Sequence, residues 1–209
     1  MVKSLKRLKL AAFALLVLTT QVANADTLFT NWSSGIVGGN LYTAGGPCSF
    51  ASCFGIADNF SNQEDWAVTD ITIYIVSVPS TVANPGWRYA LFTTAGNQIV
   101  APTDTAITFT DLGPYNGREL YKGVISGLSI NLPPGDYELR FTNTQAQSVY
   151  PAFGMSPSPQ SSSPGFVQLT GSSTVESLLS TDRTQRSEEW AFELSGTIAP
   201  IFVDGFDGP

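Results

Sequence analysis

Histidine is absent from the 209 residues of this chain, and cysteine occurs only twice. The lack of histidine excludes a Ser-His-Asp triad, a Cys-His pair and a histidine-based zinc site. The glycines between Gly35 and Gly46 have neither the phosphate-loop nor the dinucleotide-binding spacing. A pair of carboxylates, as in glycoside hydrolysis, is the catalytic device that remains, and no spacing selects two of the acidic residues. We therefore expect no enzyme, with a carboxylate-based hydrolase as an alternative.

Charged residues are also scarce, at 13% of the chain, which is about half the usual share in soluble domains. Hydrophobic residues make up 43%, and the 4 Trp, 7 Tyr and 13 Phe need a core in which to be buried. The length fits one domain. Beyond residue 25 no apolar run approaches about 18 residues, so we expect no transmembrane segment in the mature chain.

The first 25 residues have the three parts of a secretory signal peptide. Lys3–Lys9 carries four basic residues, Leu10–Leu18 is apolar, and Ala23–Ala25 is a small-residue cleavage site. We therefore predict a secreted or cell-envelope protein. Without those four basic residues the chain keeps six basic and 17 acidic residues, a net charge of −11. Such an acidic surface argues against nucleic acid and anionic membranes as partners.

The two cysteines are Cys48 and Cys53, with four residues between them. In an oxidising compartment such a pair is typical of a local disulfide. Closing so short a loop contributes about 2 kcal/mol in the chain-entropy description of disulfides.

One stretch organises the predicted fold: a short strand at Ile56–Ser61, a turn over Asn62–Asp65, and a long strand at Trp66–Val78. Much of the long strand alternates apolar and polar residues, as a half-buried strand does. Trp190–Ile198 alternates in the same way, whereas Asp111–Gly117 has turn residues and is predicted as a loop.

About ten such short strands, with turn signals between them and almost no helical periodicity, indicate an all-β fold. We predict an antiparallel, jelly-roll-like β-sandwich over residues 26–198. A signal peptide over residues 1–25 precedes it, and a tail over residues 199–209 follows.

Three motifs resemble those of uncharacterised bacterial secreted proteins of the PEP-CTERM-associated kind. They are the opening Ile56–Phe60 with Trp66–Ile71, the turn Leu132–Tyr137, and the closing strand Trp190–Gly196. The resemblance implies a β-sandwich exported to the envelope or the medium, and it assigns no catalytic residue.

The tail departs from that family, because Pro200–Pro209 has no Pro-Glu-Pro motif. It is similar instead to the I-F-x-D-G-F-[DE] endings of secreted proteobacterial proteins, which implies a sorting or processing tag. The alternative is a final strand that packs Ile201, Phe202 and Phe206 against the sandwich.

Aromatic side chains at predicted strand ends or in loops are candidates for stacking on sugar rings. These are Trp32, Trp87, Tyr115, Tyr121 and Tyr150. Trp66 and Trp190 fall on apolar faces, so we expect them in the core.

Asp58 and Asn59 offer adjacent oxygen ligands for calcium. The alternative role for Asp58 is to order the following turn by accepting backbone N–H bonds. We expect no cofactor, with calcium as the open alternative.

The sequence therefore favours a secreted, non-catalytic module that binds an extracellular polysaccharide or an envelope component. A structural or matrix protein with an acidic surface and no small ligand is the main alternative.

Overall fold

A computed structural model describes residues 25–32, 42–43, 53–77, 86–115, 117–143, 152–153, 155–156, 167–171, 183–185 and 189–198. These ranges leave out residues 1–24 of the predicted signal peptide, the tail, Cys48 and Tyr150. They also leave out the side chain of Cys53. The signal peptide, the disulfide and the role of the tail therefore stay predictions.

The described residues form sixteen strands and no helix. In chain order they are β1 Asp26–Thr30, β2 Tyr42–Thr43, β3 Cys53–Asn62, β4 Trp66–Ser77, β5 Trp87–Thr93, β6 Gln98–Thr105, β7 Thr108–Tyr115, β8 Arg118–Ile125, β9 Ile130–Leu132, β10 Gly135–Asn143, β11 Ala152–Phe153, β12 Met155–Ser156, β13 Val167–Gly171, β14 Arg183–Gln185, β15 Glu189–Trp190 and β16 Phe192–Ile198. Within this part of the chain, nothing helical has the length and apolarity needed to cross a bilayer.

The strands form two large antiparallel sheets and one small one. The first sheet has eight strands, five of which lie side by side in the order β1-β16-β4-β8-β7. Of the other three, β9 and β11 each pair with β4, and β2 pairs with β11. The second sheet has six strands, in the order β14-β13-β3-β10-β5-β6. The short β12 and β15 pair with each other. The predicted antiparallel β-sandwich is confirmed.

The core lies between the two large sheets. Alternate residues of β4, β8 and β16 meet alternate residues of β3, β5 and β10 across it. Trp87 and Trp190 are the largest of the fully buried side chains, and Trp66 is 8% exposed. The core positions predicted for Trp66 and Trp190 are therefore confirmed. Each large apolar side chain buried here contributes about 1.5–3 kcal/mol.

A β-bulge at Thr69 explains why the long strand β4 does not alternate perfectly. On one side, Ser195 of β16 pairs with Asp70 and Gly196 pairs with Val68, so Thr69 is skipped. On the other side, the backbone N–H of Leu128 donates to the carbonyl of Thr69 at 2.9 Å. One extra residue in a strand shifts its side-chain alternation by one position. Val68 and Ile71 consequently both face the core, although they are three residues apart.

Candidate functional site

The structure places two of the predicted stacking residues inside the protein. Trp87 is 1% exposed, and its ring packs on Phe141 with the centroids 5.5 Å apart. Tyr121 is buried too, edge-on to Phe109 at 6.4 Å. β5 lies between β10 and β6, so Trp87 belongs to a strand paired on both sides, and its side chain faces the first sheet. The prediction that these two residues bind sugar is wrong, because buried rings have no free face.

Tyr115 and Trp32 remain as candidates among the described residues, and both are partly exposed. Tyr115 ends β7 opposite Arg118, at the edge of the first sheet. Trp32 follows β1 and stacks on Tyr74, with the ring centroids 3.8 Å apart and the planes 8° from parallel. Trp32 therefore belongs to an organised aromatic pair.

The outer face of the first sheet supplies the partners of Trp32. Tyr74 of β4 lies between Ile73 and Ile75, which face the core, so its own side chain lies on the opposite face. Lys122 of β8 is directly opposite Tyr74 in the ladder, and Glu193 of β16 is directly opposite Thr72. Residues opposite each other, or diagonal across neighbouring strands, share one face. We call Trp32, Tyr74, Lys122 and Glu193 the Trp32 surface.

Polar contacts tie these side chains together. The Tyr74 hydroxyl donates to Oε1 of Glu193 at 3.0 Å. Nζ of Lys122 lies 3.9 Å from Oε2 of the same carboxylate, and the two side chains are 38% and 17% exposed. The Trp32 surface therefore joins an aromatic pair to a partly exposed acceptor and donor.

Asn31 holds Trp32 in place. Its side chain is buried and bridges the chain on both sides of Ala191: Nδ2 donates to the carbonyl of Trp190, and Oδ1 accepts from the backbone N–H of Phe192 at 2.8 Å. The backbone N–H of Asn31 also donates to the carbonyl of Phe192 at 3.3 Å. These bonds extend the β1–β16 pairing up to the residue before Trp32. The backbone that carries the Trp32 indole is therefore held in place.

Asp58 has a structural role. It is 2% exposed, and its carboxylate accepts the backbone N–H of Asn59 and that of Trp190, each at 2.8 Å. The alternative prediction was that Asp58 accepts backbone N–H bonds from the turn that follows it. Asp58 does accept such bonds, but these two donors lie in β3 and β15 and not in that turn. No group of three or more Asp, Glu, Cys or His side chains suited to a metal ion occurs among the described residues. The suggested calcium site at Asp58 and Asn59 thus gains no support from the geometry.

A cleft of about 550 Å³ opens at one end of the sandwich, between the start of β1, the β3–β4 turn and the end of β16. Asp26 and Glu64 line it and are both exposed. A glycosidase acid is usually a carboxyl group whose pKa is raised by an apolar environment. Two solvent-exposed carboxylates do not provide that environment, so the hydrolase alternative gains no support from this cleft.

The second sheet carries a buried ion pair on the face away from the core. Glu138 and Arg140 alternate with the core residues Tyr137, Leu139 and Phe141 of β10. Nε of Arg140 donates to Oε1 of Glu138, and the guanidinium lies 4.1 Å from the ring centroid of Phe92. Both side chains are more than nine-tenths buried. We interpret this pair as structural, because both charges are neutralised by each other and shielded from solvent.

Burial raises the pKa of four tyrosines, Tyr74, Tyr89, Tyr121 and Tyr137, above the ordinary value of 10.0; at Tyr74 the Glu193 carboxylate raises the pKa further. These phenols ionise in the unfolded chain before they ionise in the folded one. Their contribution to stability is therefore complete below about pH 10 and is lost as the pH rises further.

We expect the urea concentration at the midpoint of unfolding to fall from about pH 10 upward. Tyr74→Phe should reduce that fall, because it removes one of the four phenols. Native phenols that ionise at their ordinary pKa, followed by phenolate absorbance, would contradict this.

No protein-family model matches the chain, and no curated protein sequence matches it.

Proposed function

We propose that this protein is a secreted, non-catalytic module that binds a glycan through the Trp32 surface. The observation that carries the proposal is the parallel stack of Trp32 on Tyr74 beside the Lys122–Glu193 pair. Sugar rings have apolar C–H faces and polar rims, so an aromatic plane flanked by hydrogen-bonding groups complements them. The predicted signal peptide supports an extracellular or envelope location for such a partner.

Preorganisation favours this use of the surface. Tyr74 covers one face of the indole, and Asn31 fixes the backbone that leads to it. A ring held in this way loses little conformational freedom when a ligand stacks on it, which reduces the entropic cost of binding. Stacking of a flat ligand on such a ring contributes about 1–3 kcal/mol where it has been measured for nucleic-acid bases.

The charge of the mature chain restricts the class of partner. A net charge of −11 repels polyanions at long range, and the mature chain has only six basic residues that could attract them. The proposed partner is therefore an extracellular polysaccharide or envelope glycan of low charge.

The test is a polysaccharide pull-down and a glycan array with residues 26–209, with and without calcium. We expect Trp32→Ala to weaken retention about tenfold or more, because the stacking plane is lost. Ile99→Ala is the control, since it removes an exposed apolar side chain from β6 of the second sheet, away from the Trp32 surface, and it should bind like the unmodified protein. No retention on any polysaccharide would refute glycan binding and leave the structural or matrix role.

A further inference from the structure

The Lys122–Glu193 pair is held too far apart for a direct hydrogen bond. Its Nζ–Oε2 distance is 3.9 Å, whereas charge-assisted N–H···O bonds are about 2.7–2.9 Å long. The other carboxylate oxygen, Oε1, accepts the Tyr74 hydroxyl at 3.0 Å. Glu193 is thereby oriented by Tyr74, while the ammonium group stays close to it without bonding to it.

Both groups keep hydrogen-bonding capacity. An ammonium has three N–H donors, and each carboxylate oxygen has two lone pairs. Within the described residues, Tyr74 and Lys122 are the side chains in contact with the Glu193 carboxylate, and Glu193 is the ionic partner of Lys122. Both side chains are partly exposed, so a ligand above the sheet can reach them.

A neutral pair of adjacent hydroxyls suits this arrangement better than a charged group does. One hydroxyl can donate to Oε2 of Glu193 while its neighbour accepts from Nζ of Lys122. A ligand carboxylate that approached Lys122 would also face the carboxylate of Glu193, and a ligand ammonium that approached Glu193 would face Lys122. Like charges so close together cost binding free energy.

We infer that the Lys122–Glu193 pair selects neutral sugars with two adjacent free ring hydroxyls and rejects uronic acids. This inference rests on the proposed glycan binding at the Trp32 surface and names the class of sugar that the surface takes. Lys122 and Glu193 are the specificity-determining residues, and Trp32 supplies the stacking plane.

The probes are methyl glycosides of glucose, galactose and mannose, each compared with its uronic acid and with a deoxy form that lacks one of two adjacent hydroxyls. Binding to residues 26–209 is followed by ligand-observed NMR and Trp fluorescence. At least one neutral glycoside should bind, and its uronic acid and deoxy forms should bind about tenfold more weakly, because each leaves a polar group unsatisfied or opposed.

Variants separate specificity from general weakening. Glu193→Gln removes the carboxylate charge but keeps a carbonyl oxygen for Tyr74, so it should bind the uronic acid more tightly than the unmodified protein does. Lys122→Gln should weaken binding of the neutral sugar, and Lys122→Arg should preserve it.

Equal binding of the neutral, deoxy and uronic acid forms would overturn the inference, as would a Glu193→Gln variant with unchanged preference. In either case a loss of binding in Trp32→Ala would leave glycan binding itself standing. No binding of any saccharide would overturn both proposals.

Discussion

Replacing Gly196 by alanine is expected to lower the free energy of unfolding by about 3 kcal/mol. A Cβ atom at this position would lie 2.0 Å from the carbonyl oxygen of Ala67 and 3.0 Å from Cα of Val68. Both are backbone atoms of β4, at residues that pair with β16 on one side and with β9 on the other, so neither can move without disturbing both pairings. The close approach occurs at the Thr69 bulge, where Gly196 pairs with Val68.

Urea unfolding of residues 26–209 measures this effect as a lower midpoint with an unchanged slope. Gly135→Ala is the matched control: its Cβ would lie 3.4 Å from the Tyr137 hydroxyl oxygen and 3.5–3.6 Å from the ring, which is ordinary contact. We expect that control to stay within about 1 kcal/mol of the unmodified protein. If Gly196→Ala were equally mild, the tight contact between β16 and β4 would not exist in solution.

The Thr69 bulge also shows how far alternation could predict the fold. The apolar rhythm of β4 and of Trp190, Phe192 and Leu194 identified both strands and the faces that meet the core, because a strand turns alternate side chains to opposite sides of its sheet. The bulge itself depends on the register of β16 and on the backbone bond from Leu128 to Thr69. Those partners are distant in the sequence, so no local pattern could reveal where the rhythm would shift.

The prediction of a loop at Asp111–Gly117 is wrong, because most of this segment belongs to a paired strand. β7 continues to Tyr115 and pairs with β8 throughout, with a bulge between Asp111 and Gly113. Gly113 has a φ of 106°, and its backbone N–H donates to Oδ1 of Asp111 at 2.8 Å. The residues that signal a turn are therefore used for a bulge in an edge strand, where proline is also tolerated. Pairing with β8 outweighed the local turn preference.

The candidate site was predictable only in part. Trp32 was identified because it is an aromatic residue at the end of a predicted strand, but Tyr74, Lys122 and Glu193 were missed. They come from three strands far apart in the sequence, and the ladder of the first sheet alone brings them together. Tyr74 carried one usable signal: it is a large aromatic residue on the face of β4 that points away from Ile73 and Ile75, and it is only 3% exposed there.

Asn62 is a second position at which a small change in the side chain should strongly lower the stability of the fold. Its side chain is buried between two turns; Nδ2 donates to the carbonyls of Glu64 at 2.7 Å and of Leu132 and Pro133 at 2.9 Å. Oδ1 accepts the backbone N–H of Gly135 at 2.9 Å. The amide therefore joins the β3–β4 turn to the β9–β10 turn. Since the amide has two N–H groups for three carbonyls, one of these hydrogen bonds is shared.

Asn62→Asp should lower the free energy of unfolding by about 3–4 kcal/mol near neutral pH, because a carboxylate oxygen would face three carbonyl oxygens. The buried site disfavours the charged form, so the pKa of the introduced carboxyl is raised in the folded state. The deficit should therefore be largest above the raised pKa, shrink as the pH falls from that pKa toward the unfolded value of about 4, and stay at its smallest below that value. The protonated carboxyl can donate one of the lost hydrogen bonds.

Urea unfolding at several pH values measures this difference between Asn62→Asp and the unmodified protein. Asn131→Asp is the matched control, because it makes the same chemical change at an exposed position of β9, next to Leu132. That variant should stay within about 0.5 kcal/mol of the unmodified protein at every pH. A deficit for Asn62→Asp that is small, or that does not change with pH, would mean that its amide does not hold the two turns together.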